Sequence, residues 1–179
     1  MRILVFASSN SSQSINRQLA NHAADVFKEE FAQDAEIDRL DLNDFEMPLY
    51  SADREKEQGV PALAQQFKDR IAAADRVIVS FAEHNGHYSA AFKNLFDWAS
   101  RLEGSVYQDK PMVLLATSPG GRGGSSVLAA ATESAPYFGC DVRGTLSVPS
   151  FNDNFDTAAG RLHAGEMAQA LRGVLANLV

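Results

Sequence analysis

Short runs of apolar, often β-branched residues alternate along this sequence with longer stretches in which apolar residues recur at helical spacing. Brief apolar runs are typical of buried strands, and a period of about 3.6 residues is typical of amphipathic helices. The runs predict strands near 3–6, 37–42, 77–79, 112–115 and 142–148. The helical period predicts helices within 15–31, 61–74, 92–102, 127–138 and 164–178. Such alternation favours a parallel sheet with crossover helices.

Right-handed crossovers between five parallel strands place helices on both faces of the sheet. We therefore expect an α/β fold with a three-layer, doubly wound, five-stranded parallel sheet. One domain over 1–179 is expected, because single cores commonly reach about 100–200 residues. Pro61 should open the second helix, and Gly139 should follow the end of the fourth. The segment 44–59 has no clear period, so it is either a functional excursion or a flexible surface loop.

Composition and charge narrow the possible partners. The chain is 45% hydrophobic and 22% charged, as in an ordinary globular protein. Its formal charge of −7, without any Lys/Arg cluster, argues against nucleic acid or a membrane as the main partner. Cys140 is the single cysteine, so an internal disulfide and a multi-cysteine metal site are excluded. We expect its small side chain to be buried. With no membrane-length apolar run and no signal peptide, we expect a cytoplasmic protein.

Ligands of doubly wound sheets bind beyond the carboxyl ends of the strands, where the strand order reverses. The first strand leads into 7–16, a run of short hydroxyl and amide side chains before a helix. Free backbone N–H groups and the helix dipole can hold a phosphate dianion there without lysine. Alternatively, Ser12 or Ser14 only caps the helix. The loop lacks both the G-x-G-x-x-G and the GxxxxGK[ST] patterns, which argues against a tightly bound Rossmann dinucleotide and against ATP hydrolysis.

Two further loops follow the third and fourth strands. Residues 80–89 place aromatic and amide side chains around a glycine, which suits a planar heterocycle. Glu83, His84 and His87 have a spacing that can bind zinc, but no further ligand cluster accompanies them, and solvated loop histidines are the simpler interpretation. The loop 117–124 contains four glycines, so its backbone can approach a flat ligand closely; a flexible surface turn is the alternative.

Together these loops resemble signatures of the NADPH-dependent FMN reductase family, which includes quinone, azo-dye and chromate reductases. The family begins with a G-S-x-R-x-x-S-x-N pattern. Here Ser9, Ser14 and Asn16 match it, whereas Ser8 replaces the glycine and Ser11 replaces the arginine. The glycine-rich loop 118–124 is similar to a further family signature.

The remaining family signature resembles P-E-Y-N-x-S followed by a helix with K-N and D-W. Its matching positions are Glu83, Asn85, Lys93, Asn94, Asp97 and Trp98. Ala82 replaces the proline and His84 replaces the tyrosine. The likeness covers nearly the whole chain, and the three signatures stand in the family's order.

This resemblance implies one flavodoxin-like, FMN-binding domain that passes hydride from NADPH or NADH through FMN to a small acceptor such as a flavin, quinone or azo compound. It implies that the first loop binds the FMN phosphate and that the other two border the ring. Similar proteins are commonly homodimers or homotetramers. The residues implied to bind the cofactor are Ser9, Ser11, Ser14, Ile15, Asn16, Glu83, His84, Asn85, Gly86, Ser118, Gly120 and Gly121.

Flavin chemistry does not require a nucleophile, a triad or a metal, because hydride can pass directly from the nicotinamide to flavin N5. We therefore predict no catalytic side chain. The N–H groups of Gly120 and Gly121 could face the ring edge on which negative charge develops. Two alternatives remain: a one-electron carrier of the flavodoxin kind, and a non-enzymatic anion or flavin sensor. The aromatic helix around Phe96 and Trp98 would supply either an interface or core packing.

Overall fold

The computed structural model describes residues 1–179. Its strands are β1 (Arg2–Ala7), β2 (Glu36–Leu40), β3 (Arg76–Phe81), β4 (Glu83–His84), β5 (His87–Tyr88), β6 (Lys110–Thr117), β7 (Cys140–Val148), β8 (Phe155–Asp156) and β9 (Arg161–Leu162). Its α-helices are α1 (Ile15–Glu30), α2 (Ala52–Gln58), α3 (Ala62–Ala73), α4 (Ala90–Ala99), α5 (Ser125–Ser134), α6 (Phe151–Asn154) and α7 (Glu166–Ala176). Two 3₁₀ helices span Leu42–Phe45 and Ala135–Phe138.

The five longer strands form one parallel sheet in the order β2-β1-β3-β6-β7. The chain moves outward from β1 to β2 and then returns to β3 on the other side, so the strand order reverses between β1 and β3. The loops that follow β1, β3 and β6 consequently meet at one edge. The five predicted strands and their parallel arrangement are confirmed, with ends that differ by one or two residues.

Apolar side chains of the strands alternate between the two faces of the sheet. Leu4 and Phe6 contribute to a core with α3, α4 and α5, whereas Ile3 and Val5 contribute to a second core with α1 and α7. Both cores consist of buried residues, and the sheet separates them. The predicted three-layer architecture is therefore confirmed.

The segment 44–59, which has no clear period in the sequence, contains regular structure. It contains α2 and is fastened to α4 by a set of hydrogen bonds. Asn94 Nδ2 donates to the Met47 carbonyl at 3.0 Å, and Asn94 Oδ1 accepts from the Tyr50 N–H at 2.8 Å. Trp98 Nε1 donates to the Pro48 carbonyl at 2.7 Å. Trp98 is fully buried, so of the two alternatives for this side chain, an interface or core packing, the structure supports core packing.

Proline and glycine shape the end of α5. The predicted helix reaches only Ser134 as an α-helix, because Pro136 lacks an N–H and its ring clashes with a continuing helical turn. A 3₁₀ turn follows and ends at Gly139, whose φ of 75° confirms the expected left-handed glycine. Cys140 comes next and is 7% exposed, as predicted. Burial raises the pKa of its thiol to about 12, so it remains protonated.

The helices of the structure are too short or too polar for any of them to cross a lipid bilayer.

Replacing Trp98 by Phe should destabilise the fold by about 1–3 kcal/mol, because the variant loses the hydrogen bond to Pro48 and leaves part of the indole volume empty. Urea unfolding followed by circular dichroism measures the change. Tyr137→Phe is the control: Tyr137 is 85% exposed, and its variant should stay within about 0.5 kcal/mol of the parent. Equal midpoints for both variants would contradict the role given to Trp98.

Candidate functional site

Three loops enclose a cavity of about 300 Å³ at the carboxyl edge of the sheet. Its walls come from the loop after β1, the end of β3 and the end of β6. The lining residues are Ser9, Ser11, Gln13, Ser14, Ile15, Asn16, Ala82, Glu83, His84, Thr117, Ser118 and Pro119. Cavities of similar size occur elsewhere, including one beside α4, so size alone does not identify the site. The meeting of three strand ends where the strand order reverses distinguishes this one.

The predicted cofactor residues fall into two groups. The cavity brings together Ser9, Ser11, Ser14, Ile15, Asn16, Glu83, His84 and Ser118. The other four predicted residues, Asn85, Gly86, Gly120 and Gly121, do not line it. Gln13, Ala82, Thr117 and Pro119 line the cavity although the sequence analysis did not name them as site residues.

Serine hydroxyls in the first loop accept hydrogen bonds from nearby backbone N–H groups. Ser9 Oγ accepts from the Ser11 N–H at 3.2 Å, and Ser11 Oγ accepts from the Gln13 N–H at 3.2 Å. Ser14 Oγ accepts from the Arg17 N–H at 3.1 Å and thereby caps α1. Each hydroxyl has used a lone pair within the chain and retains its proton for donation. Ser14 therefore does cap the helix, and this role leaves its O–H available to a ligand.

Backbone N–H groups add to these donors. The N–H groups of Asn10, Ser12, Ile15 and Asn16 form no hydrogen bond within the chain. The first turn of α1 contains no acidic residue, so the positive end of its dipole is not neutralised there. Arg17 pairs with Asp41 at 3.1 Å and also donates to the Ser12 carbonyl. The loop is thus rich in neutral donors, while the nearest guanidinium is already engaged.

Asn16 directs its side chain into the ends of the strands. Its Oδ1 accepts from Ser80 Oγ at 2.7 Å and from the Thr117 N–H at 3.0 Å, and its Nδ2 donates to the Thr117 carbonyl at 3.2 Å. The three side chains are at most 4% exposed. The Oδ1 atom and one N–H of the Asn16 carboxamide are thus bonded to the strand ends, and its backbone N–H is unpaired.

Ser8 and Ser89 form a second buried link between the loops. Ser8 Oγ accepts from the Ala82 N–H at 3.0 Å, and Ser89 Oγ donates to the Ser8 carbonyl at 2.7 Å. Ser8 also donates its own N–H to the Ser80 carbonyl at 2.9 Å. No sequence pattern predicted such a role for Ser8, Ser80 or Thr117. The available signal was that each of these hydroxyl residues lies at or directly after the end of an apolar strand.

The loop after β3 is a short hairpin of β4 and β5. Asn85 and Gly86 form its two-residue turn, with φ angles of 53° and 81°. Positive φ at both positions is typical of a type I′ turn, for which Asn-Gly is the favoured sequence. Turn geometry therefore accounts for these two residues. The structure brings together no group of three or more His, Cys, Asp or Glu side chains that could hold a metal ion.

Glu83 connects the hairpin to the glycine-rich loop. Its Oε2 accepts from the Val127 N–H at 3.0 Å, in the first turn of α5. A carboxylate at this place satisfies a free N–H group and opposes the positive end of the helix dipole. One carboxylate oxygen of Glu83 is thus occupied by α5, and the adjacent His84 side chain is exposed at the cavity.

The four glycines of the third loop have different environments. Gly120 and Gly121 have open space where a Cβ would stand, and their N–H groups form no hydrogen bond within the chain. Gly123 and Gly124 are buried and have φ angles of 58° and 74°. A Cβ on Gly123 would lie 2.8 Å from the Pro149 nitrogen. Two of the glycines therefore serve close packing, and the other two leave their backbone accessible.

Comparison with known proteins assigns the sequence to a family. The sequence model of the family described as NADPH-dependent FMN reductase matches residues 1–153. The chain is similar to a 2-hydroxy-1,4-benzoquinone reductase from Burkholderia sp, at 35% identity over 124 residues, 69% of this chain and 63% of that protein. It is also similar to an NADPH:quinone oxidoreductase from Arabidopsis thaliana, at 31% identity over 126 residues, 70% of this chain and 62% of that protein. The match thus spans slightly less than two thirds of these relatives.

Solved structures show the same architecture. The flavoenzyme NAD(P)H:(acceptor) oxidoreductase FerB from Paracoccus denitrificans superimposes with a TM-score of 0.74 at 24% identity, over 99% of this chain and 94% of that one. The azoreductase AzrA gives a TM-score of 0.66 at 17% identity, over 98% and 100% of the two chains. At these identities the likeness concerns the fold, and it confirms the predicted flavodoxin-like arrangement.

Alanine at Gly123 should destabilise the protein by about 2–4 kcal/mol, because the new Cβ meets backbone atoms and the residue must keep a left-handed conformation. Alanine at Gly121 is the matched control, with open space and no positive φ, and should change stability by less than about 0.5 kcal/mol. Thermal unfolding of the two variants measures the difference. Identical melting temperatures would mean that the loop is not packed against β7.

Proposed function

The chain belongs to the NADPH-dependent FMN reductase family, and we propose that it binds FMN in the cavity at the carboxyl edge and transfers hydride from NADPH or NADH to a small acceptor. The observation that carries the proposal is the concentration of free donors around the first turn of α1, beside two loops with accessible backbone. This arrangement suits a ligand with a terminal phosphate and a flat ring.

The first loop fits a phosphate dianion. Hydroxyl protons of Ser9, Ser11 and Ser14 and the N–H groups of Ile15 and Asn16 would donate to its oxygens. Helix N-termini are favourable anion sites because their unpaired N–H groups and the helix dipole act together. The loop 8–16 contains no carboxylate that would repel the ligand. The residues present therefore fit the phosphate of FMN without the arginine found in the family pattern.

The other two loops would border the ring. His84 and Ser118 line the cavity directly, and the N–H groups of Gly120 and Gly121 are unpaired beside it. Asn85 and Gly86 would contribute by holding the hairpin turn. Bound FMN would supply the redox chemistry by accepting hydride from a reduced nicotinamide and delivering it to the acceptor. The contribution of the chain is to orient the ring and to place neutral donors near its edge.

The acceptor is proposed from the relatives. Two of them are named for the reduction of quinones, and a structural neighbour is named an azoreductase. A quinone, a flavin or an azo compound is a planar molecule that suits a site exposed at the edge of a sheet. We place a quinone first among these acceptors.

We further infer a cytoplasmic location and assembly into a homodimer or homotetramer, without nucleic acid or a membrane as partner. A free, buried Cys140 and the absence of other cysteines suit a reducing compartment. The net charge of −7 disfavours polyanionic partners. Support for self-association comes from an aromatic groove of about 280 Å³ beside α4, lined in part by Phe96 and Phe138, with the exposed Tyr137 next to Phe138 in the chain.

The test of function is an absorbance spectrum of the purified protein with FMN, followed by anaerobic titration with NADPH and with NADH. We expect a bound-flavin spectrum that bleaches with at least one dinucleotide and recovers when a benzoquinone is added. Reduction by dithionite alone would favour a one-electron carrier. A protein that binds no flavin would favour the sensor alternative and overturn the proposal.

FMN should bind at least about tenfold more tightly than riboflavin, because hydrogen bonds to a charged phosphate contribute about 1.5–3 kcal/mol each. Quenching of flavin fluorescence on titration with protein gives both dissociation constants. Equal dissociation constants would contradict the proposal that the first loop binds the FMN phosphate.

A second prediction concerns Ser14→Asp. Asp caps helices as well as Ser does, so the variant without ligand should melt at a similar or slightly higher temperature. FMN binding should weaken by about 2 kcal/mol, roughly 30-fold, since a donor is lost and a carboxylate faces the phosphate. Calorimetric titration and thermal unfolding measure the two effects separately.

Ser51→Asp is the matched control for that substitution. Ser51 caps α2 in the same way, with its hydroxyl accepting from the Arg54 N–H at 3.2 Å, and it does not line the cavity. Its variant should bind FMN as the parent does. If Ser14→Asp also binds FMN normally, the Ser14 hydroxyl only caps α1 and the phosphate site lies elsewhere.

A further inference from the structure

One carboxamide joins the three elements next to which the loops of the cavity lie. Asn16 lies in the first turn of α1, and its side chain bonds Ser80, 64 positions further along the chain, and Thr117, 101 positions further along. Ser80 lies three residues before the hairpin, and Thr117 directly precedes the glycine-rich loop. All hydrogen-bonding atoms of this cluster that are fully buried have partners.

The pairing of Asn16 with Thr117 is specific to an amide. Both backbone polar groups of Thr117 bond the same side chain, the N–H donating to Oδ1 at 3.0 Å and the carbonyl accepting from Nδ2 at 3.2 Å. A carboxamide carries a donor and an acceptor side by side, as a peptide group does. An apolar side chain of the same size offers neither, and a carboxylate offers acceptors only.

The main chain of Asn16 is free to contact a ligand, unlike the bonded atoms of its side chain. Its N–H is one of the unpaired donors in the first turn of α1, where the proposed function places the phosphate. The residue therefore stands between the loop proposed for the phosphate and the two loops proposed for the ring. A change in its side chain would move these loops relative to one another without removing a donor from the phosphate.

We propose that Asn16 is a positioning residue whose carboxamide fixes the separation between the phosphate-binding turn of α1 and the two loops that border the flavin ring. The proposal rests on the proposed function. It differs from the simpler role of a side-chain phosphate ligand, because three hydrogen bonds already hold the Asn16 carboxamide to Ser80 and Thr117.

The test uses Asn16→Leu, which keeps the size of the side chain and removes its hydrogen bonds. Loss of the tie should weaken FMN at least about tenfold, because FMN is proposed to contact the phosphate turn and both ring loops at once. Riboflavin should weaken as well, because the strand ends beside the two ring loops lose their common partner. At saturating FMN, the rate of reduction by NADPH should remain several-fold below that of the parent. Hydrogen exchange of the Thr117 amide in the flavin-free protein should accelerate.

Asn16→Asp supplies a second variant in case the leucine variant does not fold. A protonated carboxyl can donate to the Thr117 carbonyl, whereas the carboxylate would repel it. This difference and the burial of the site should both raise the pKa of the new group. The flavin affinity of this variant, divided by that of the parent at the same pH, should fall between pH 5 and 8. Glu83 and His84 line the same cavity and Arg17 is adjacent in the chain, but all three are present in both proteins and cancel in the ratio.

Asn21→Leu is the control, because Asn21 lies on the same helix, bonds only the Arg39 side chain at 3.2 Å, and does not line the cavity. It should behave as the parent in every measurement. Weaker FMN binding by Asn16→Leu with unchanged riboflavin binding and a parental reduction rate at saturation would make Asn16 a phosphate ligand and overturn the proposal. Parental values throughout would overturn it as well. Failure of the parent to bind any flavin would instead overturn the proposed function, and this role with it.

Discussion

Buried peptide groups at the ends of parallel strands must find hydrogen-bond partners, and the arrangement of this site depends on how that requirement is met. A strand that ends inside a three-layer fold leaves N–H and C=O groups without a neighbouring strand and without water. Here the side chains of Ser8, Asn16, Ser89 and Thr117 satisfy them, and the Ser80 hydroxyl donates to the Asn16 carboxamide. The same bonds that complete the sheet also fix the loops, so the stability of the edge and the shape of the cavity have one cause.

The parts of the fold that could be predicted from the sequence are those that bury a periodic apolar face. Strand β1 and helix α1 are examples, since each contributes a regular set of residues to the cores. Helix α2 buries no residue at all, and therefore leaves no apolar period in the sequence. The hairpin strands β4 and β5 have two residues each, too few to show alternation. Pro136 did give a local signal for the end of α5, but the apolar period continues to residue 138 and predicted too long a helix.

The site could likewise be predicted only where local sequence determines it. Local sequence placed a hydroxyl-rich turn before a helix and a glycine-rich loop after a strand, and the turn does meet the first residues of that loop at one edge. The partners of Asn16 lie 64 and 101 positions away, so nothing near it in the sequence reveals where its side chain points. Likewise, Glu83 looks like a ligand-facing carboxylate until the fold brings the first turn of α5 to it. Long-range contacts thus decided which polar side chains face the cavity and which hold its walls.

The engagement of Arg17 with Asp41 has a kinetic consequence. A hydrogen bond from the Asn43 backbone, foremost, and the nearby Arg17 guanidinium hold the pKa of Asp41 below its usual range, so this carboxylate stays ionised and paired with Arg17 at neutral pH. No unpaired cation of the first loop then attracts an anion from a distance, and the phosphate proposed to bind there would approach a chain of net charge −7. Dipoles of N–H and O–H groups act only over short distances. Capture at such a site depends on contact and not on long-range steering, and dissolved salt, which screens the opposing field, assists the encounter.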